Sequence, residues 1–243
     1  MDNILAAYEE AFATPLNVFL LLVTIGMLIL WISARWWQTP DKVHKRAKFF
    51  SPKPTQYLQK KLRTNERMTK ILDFLTMQLW LWAFTITVVI EVYICGLQGD
   101  QAWRYGLPVI LSWGTSMTIQ FLYPVIVPNR WDAFGRDLPI IPLRLEQFKQ
   151  SDNVNGLLYN GLPSNHLGLM MAGAILCYFI GLTSPWWVWT AGIVFFLLLG
   201  TFFCFSVIYL GEHYIWDLVA SIVVYVPIMF GVFSILTSFV PMS

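Results

Sequence analysis

Two histidines, each set among other polar groups at the lip of a long apolar segment, are the residues in this chain best suited to chemistry: His213 and His166. Polar groups in such places are costly unless they face a site or a water-filled cavity. His213 stands four residues before Asp217, so the two share a helix face. A carboxylate there can accept a hydrogen bond from one ring nitrogen. That fixes the tautomer and leaves the other nitrogen free and more basic, as a nucleophilic histidine requires. A pair that only satisfies two polar groups inside a helix bundle would have the same spacing. His166 closes the run Gly161-Leu162-Pro163-Ser164-Asn165-His166. Proline followed by Ser and Asn, ahead of an apolar stretch, marks a helix start. The free N–H groups and dipole of such an end attract anions. From the first turn His166 can act as a general acid or base. An ordinary helix cap with a histidine reaching the interface is the competing interpretation.

The elements that must position these groups are membrane spans. The chain has 243 residues, 57% hydrophobic and 12% charged, where soluble domains carry about 25% charged residues. Apolar runs fall at 15–37, 71–95, about 104–127, 164–182, 186–209 and 214–240. Each is near the roughly 20 residues that cross about 30 Å of hydrocarbon. In lipid they must be helices, because the backbone has no other partners there. The expected fold is an all-α integral membrane protein of six transmembrane helices. Residues 1–70 read as an N-terminal transmembrane helix and basic interfacial loop, and 71–243 as the catalytic transmembrane core, one domain overall. The first apolar run is long enough to span, so it reads as a span and not as a cleavable signal.

Counting spans puts 128–131, 163–166 and 206–217 on one side of the membrane, where they can meet. Ten Lys and Arg crowd residues 42–70 and four more lie between 130 and 149, against essentially Arg104 alone on the other side. The positive-inside rule therefore places this end, and the site, on the cytoplasmic face. The 38–70 run is too proline-broken and too near the spans to suggest nucleic acid, and anionic lipid is the expected partner. Net charge of +2 says little about partners. Cys95, Cys177 and Cys204 have no metal or redox spacing and read as small buried hydrophobes. Glu212 reads as facing water, Glu91 as reaching the interface, and Gln120 as an interhelical hydrogen bond.

The two histidine runs resemble signature motifs of the PAP2 (type 2 phosphatidic acid phosphatase) superfamily, integral-membrane lipid phosphatases and phosphotransferases. Its pattern is Lys-x6-Arg-Pro, then Pro-Ser-Gly-His, then Ser-Arg-x5-His-x3-Asp. Pro163-Ser164-Asn165-His166 matches the second motif, with Asn165 for glycine. Ser206, His213 and Asp217 match the third, with Val207 where arginine is usual. The first is degraded: Arg130 is kept, Tyr123 occupies the lysine position and Trp131 replaces the proline. The resemblance covers roughly residues 105–240. The Tyr123–Arg130 run looks more like the inositolphosphorylceramide synthase-like branch.

The resemblance implies double displacement. His213 attacks phosphorus and forms a phosphohistidine, with Asp217 holding its ring. His166 protonates the leaving alkoxide, then activates water or an acceptor alcohol. Arg130, Ser164, Asn165, Ser206 and Tyr123 would bind the phosphoryl group, with no metal or other cofactor. Two of the usual three cations are missing, and Arg136, Arg144 and Lys149 are the candidates to replace them. The expected substrate is a lipid phosphomonoester or an isoprenoid or lipid diphosphate. Transfer of a phosphoryl-alcohol head group, or lipid binding without catalysis, are the alternatives.

Overall fold

The computed structural model describes residues 45–141, 161–182 and 185–239, with the isolated helical positions 22, 25, 26 and 29. The expected span at 15–37 therefore lies almost wholly outside the described residues. The described elements are helices α1 Lys53–Leu62, α2 Glu66–Gly96, α3 Ala102–Leu122, α4 Asn165–Gly181, α5 Trp186–Leu210 and α6 Ile215–Phe239. Short 3-10 helices occupy Gly99–Gln101 and Pro128–Phe134. No strand occurs among the described residues, only an isolated parallel bridge between Lys48 and Val125.

By length and composition α2, α5 and α6 can cross a membrane, and α4 is a shorter apolar helix. These helices turn Trp186, Trp187 and Val223 outward, each more than three-fifths exposed. In water that would be a liability; against lipid it is the expected lining. The third apolar run does not stay helical to residue 127. It stops at Leu122, because Tyr123 precedes Pro124 and a residue before proline is pushed out of the helical region.

Helix α4 is the centre of the bundle and packs on α2, α3, α5 and α6. It is apolar all round, as a helix buried on every side must be. Apolar attraction between helices is weak in lipid, so close packing at small residues does the work. Gly168 lies under the Tyr225 ring and Gly173 under the Phe196 ring, with no room for a Cβ at either. Gly168→Ala is therefore expected to destabilise the protein by about 1–3 kcal/mol, despite alanine's better helix propensity. Thermal denaturation in detergent checks this; an unchanged or higher Tm would refute the packing. Glu91 does not reach the interface. It is 5% exposed, buried within the helix bundle. The three cysteines are free thiols, with Cys177 buried.

Local sequence explains how the ends of these helices are set. Asn65 caps α2, its side chain accepting from the Met68 amide at 3.1 Å. Helix α5 ends at Gly211, whose φ of 73° is the left-handed geometry that favours glycine. A Cβ there would also strike Ile140. Four residues later α6 begins. Its third residue, Asp217, reaches back to the Tyr214 amide at 2.8 Å, the acidic half of a capping box.

Candidate active site

The turn between α5 and α6 presents Glu212 and His213. It is held from inside by Val207, whose carbonyl accepts from the amides of Glu212 (2.8 Å) and His213 (3.3 Å). The Val207 side chain is fully buried in an apolar cluster with Ala83, Leu167, Met170, Phe203 and Leu218. Val207 thus fills an apolar space at the position where arginine is usual.

Three segments distant in sequence converge here. Asn129 donates its backbone amide to Gly211 O at 3.2 Å. Trp131 Nε1 donates to the Tyr214 hydroxyl at 3.0 Å, which donates to Ile126 O at 2.7 Å. Gly161 donates its amide to Val125 O at 3.2 Å, and Ser164 donates its amide to Asp217 O at 3.1 Å. Ser221, one turn beyond Asp217 in α6, donates its hydroxyl to the carbonyls of both Ser164 and Asp217, at 2.8 Å each.

His213 is 6% exposed. Its Nδ1 lies 3.0 Å from the Gly161 carbonyl oxygen and 3.3 Å from Asp217 Oδ2. A carbonyl can only accept, so Nδ1 carries the hydrogen and Nε2 carries the lone pair. The Gly161 carbonyl was not singled out in the sequence, although a glycine ahead of Pro163-Ser164 was a visible signal. Gly161 has no space for a Cβ, which would sit 2.9 Å from Val125. Gly161→Ala should therefore displace this carbonyl and lower kcat about 10²-fold with a smaller change in KM, since misplacement near 1 Å has effects of that size. Kinetics on the purified variant decide it; wild-type kcat would show that the carbonyl does not matter. Asp217→Asn is expected to cost about 10²-fold, less than the ~10⁴-fold seen where a carboxylate alone fixes the ring, because Gly161 still holds the tautomer. A loss as large as that of removing His213 itself would argue against this shared control.

The His166 ring lies between Phe203 (centroids 5.2 Å apart, stacked) and Phe84 (5.1 Å, edge-on), and its centroid is 6.5 Å from that of His213. Beside it Ser164 is fully buried, and its hydroxyl has no partner among the described residues. The start of α4 carries no side-chain cap. An uncapped helix start with an unengaged hydroxyl is suited to an anion.

The other expected phosphate ligands divide. Arg130 is at the site, but paired: its NH2 lies 3.3 Å from Glu212 Oε2, and the two side chains are 10% and 5% exposed. Asn129 Nδ2 donates to Glu212 Oε1 at 2.5 Å. Glu212 therefore does not face water; Asn129 and Arg130 enclose it, a placement that only the folded 128–131 turn creates. Burial lowers the Arg130 pKa and the charge of Glu212 opposes that shift. Asn165 turns its side chain away from the site. Its Oδ1 accepts from Ser116 and from Tyr225 (3.2 Å), and its Nδ2 donates to Gln120 at 3.2 Å. Gln120 in turn donates to Pro163 O at 2.6 Å, the interhelical role expected of it. The Asn165 side chain thus ties the motif to α3 and α6, because the first turn of α4 points that face into the bundle. Ser206 is buried in α5. Tyr123 is 41% exposed at the end of α3, where the chain turns at Pro124. The Arg136 guanidinium stacks on Phe49 at 3.8 Å, so this candidate cation is held by an aromatic face. Arg144 and Lys149 lie outside the described residues.

A family model described as the PAP2 superfamily matches residues 101–239. The chain belongs to the PAP2 superfamily. Its members are generally phosphatases, so membership points to a phosphatase or a related phosphoryl-transfer function in a membrane protein. No curated protein and no solved structure gives a match.

Proposed function

We propose that this PAP2 protein is a membrane lipid phosphatase acting on a lipid phosphomonoester or an isoprenoid or lipid diphosphate through a phosphohistidine. The observation that carries this is the His213 Nδ1 contact with Gly161 O at 3.0 Å, which leaves Nε2 available beside His166. Nε2 of His213 attacks phosphorus, and the bond from phosphorus to the leaving oxygen breaks. Protonated His166 gives that oxygen its proton. Neutral His166 then takes a proton from water, hydroxide attacks phosphorus, and the P–N bond breaks to return His213. Ser164, Arg130 and the amides at the start of α4 hold the phosphoryl oxygens, and Asp217 and Gly161 steady the ring. Positioning and charge stabilisation dominate such transfers. In this reading six spans cross the bilayer and the site opens on the cytoplasmic face. Labelling of Phe50→Cys by an impermeant thiol reagent tests the orientation: labelling from the outside only would reverse it.

A second reading, phosphoryl-alcohol transfer between lipids, is favoured by the charges. Among the described residues the site sets Arg130 against Glu212 and Asp217, with Val207 at the usual arginine position. A singly charged phosphodiester needs fewer counter-charges than a phosphomonoester dianion. The Tyr123–Arg130 resemblance to inositolphosphorylceramide synthase-like proteins points the same way. Incubating the purified protein with labelled lipid phosphates and diesters, with and without acceptor alcohols, separates the readings. Free phosphate supports hydrolysis, and a new lipid ester supports transfer. Neither product, with folded protein and the full substrate panel, would refute both.

A further inference from the structure

An open groove of about 490 Å³ lies between α1 and the 138–141 segment, outside the histidine site. One wall is polar and cationic, with Gln56, Lys60 and Arg63. The other is apolar, with Leu138, Ile140 and Ile141. Helix α1 directly precedes α2, the first described helix able to cross a membrane, so it lies at the lipid–water boundary. Its outer surface carries exposed Lys53, Lys60 and Lys61. We propose that this groove binds the head group of an anionic phospholipid, with Lys60 and Arg63 at the phosphate and the start of an acyl chain along Ile141.

The two unlike walls favour a lipid over a free anion. A soluble phosphate gains nothing from Leu138 and Ile141, whereas a phospholipid joins an anion to hydrocarbon at this spacing. Ile141 is half exposed, so apolar surface remains for the chain to cover. Lys60 has no described ion pair to give up. Arg63 is anchored through NH1 alone, to Asp73 at 2.8 Å and to the Tyr209 hydroxyl at 3.3 Å, which aims the guanidinium without using all its donors.

The groove floor is continuous with the catalytic turn. Gln59, 3% exposed, donates to Tyr209 O at 2.9 Å and to Ile141 O at 3.1 Å, and accepts from the Ile141 amide at 2.9 Å. Gln56 donates to Pro139 O at 2.8 Å. Tyr209 stands four residues before His213, and its hydroxyl donates to Asp73 at 2.5 Å. An occupant that draws α1 and 138–141 together therefore also steadies the end of α5. This binding does not depend on the phosphoryl-transfer reading.

The test uses the full chain, purified in detergent without substrate, and reads retained lipid by native mass spectrometry and Tm by thermal denaturation. Phosphatidylglycerol should be retained about fivefold more tightly than phosphatidylcholine and should raise the Tm, a contrast of the size one surface cation gives with an anionic head group. Lys60→Gln, which removes no described contact, should abolish most of that preference. Leu138→Trp, which fills the groove and leaves the charges in place, should do the same. Lys61→Gln, one residue on and outside the groove lining, should keep it. Equal effects of Lys60→Gln and Lys61→Gln would mean diffuse attraction and overturn the site. So would equal retention of phosphatidylcholine, or the same stabilisation by soluble glycerol phosphate.

Discussion

His213→Ala is expected to abolish product formation, with a loss of at least about 10⁴-fold in kcat. Removing a nucleophile that acts as one unit with its neighbours typically costs that much or more. Nothing nearby can substitute: His166 is held between Phe84 and Phe203, and Asp217 is committed to the His213 ring and the Tyr214 amide. The variant should still fold, because the His213 amide to Val207 O and the left-handed Gly211 shape the turn without the imidazole. Two measurements check this. Turnover should vanish while Tm stays near wild type, and a short incubation with phosphorus-labelled lipid should leave acid-labile label on wild type but none on His213→Ala. Label retained on the variant, or turnover within tenfold of wild type, would sink the phosphohistidine route.

The second large effect concerns Arg130 and Glu212. Both are buried, and Arg130 NH2 lies 3.3 Å from Glu212 Oε2. Removing one member of a buried pair leaves the other charge uncompensated, at a cost of about 3–5 kcal/mol. Glu212→Ala should therefore destabilise the fold by about that amount. Arg130→Ala should do the same and also lower kcat/KM by about 10²–10³-fold, the loss typical of a missing oxyanion donor. The double variant should recover much of the stability and none of the activity. A double-mutant cycle on Tm and on kcat/KM separates the two roles. If stability losses simply add, the pair is not coupled. If Arg130→Ala leaves kcat/KM intact, Arg130 does not touch the phosphoryl group.

The placement of Glu212 illustrates what could and could not be read in one dimension. The four-residue spacing of His213 and Asp217 anticipated their contact, although His213 lies in the turn ahead of α6 and not on its face, and the run around Ser164 marks a helix start by residue type alone. Both are local facts, set by short spacing and by the chemistry of helix starts, so they were legible, while the non-helical backbone of His213 was not. The structure does bring 128–131, 163–166 and 206–217 together, the convergence expected from the order of the apolar runs. Glu212 was misjudged because its burial depends on Asn129 and Arg130, more than 80 residues away. Asn165 was assigned to phosphate because its motif neighbours suggested it, but the direction of its side chain is set by Ser116, Gln120 and Tyr225 on two other helices.

The sequence by itself determined an apolar helical protein, a histidine within reach of a carboxylate four residues on, and a second histidine at a helix start. Those properties reside in composition, periodicity and spacing of four residues or fewer. Only the tertiary structure decided which group fixes the His213 tautomer, how far Arg130 is neutralised, and what surrounds Val207. Each of these depends on a backbone carbonyl, a charge or a packed side chain delivered from another segment. Hydrogen bonds and buried ion pairs act over about 3 Å, so they are specified by folded proximity and not by order along the chain.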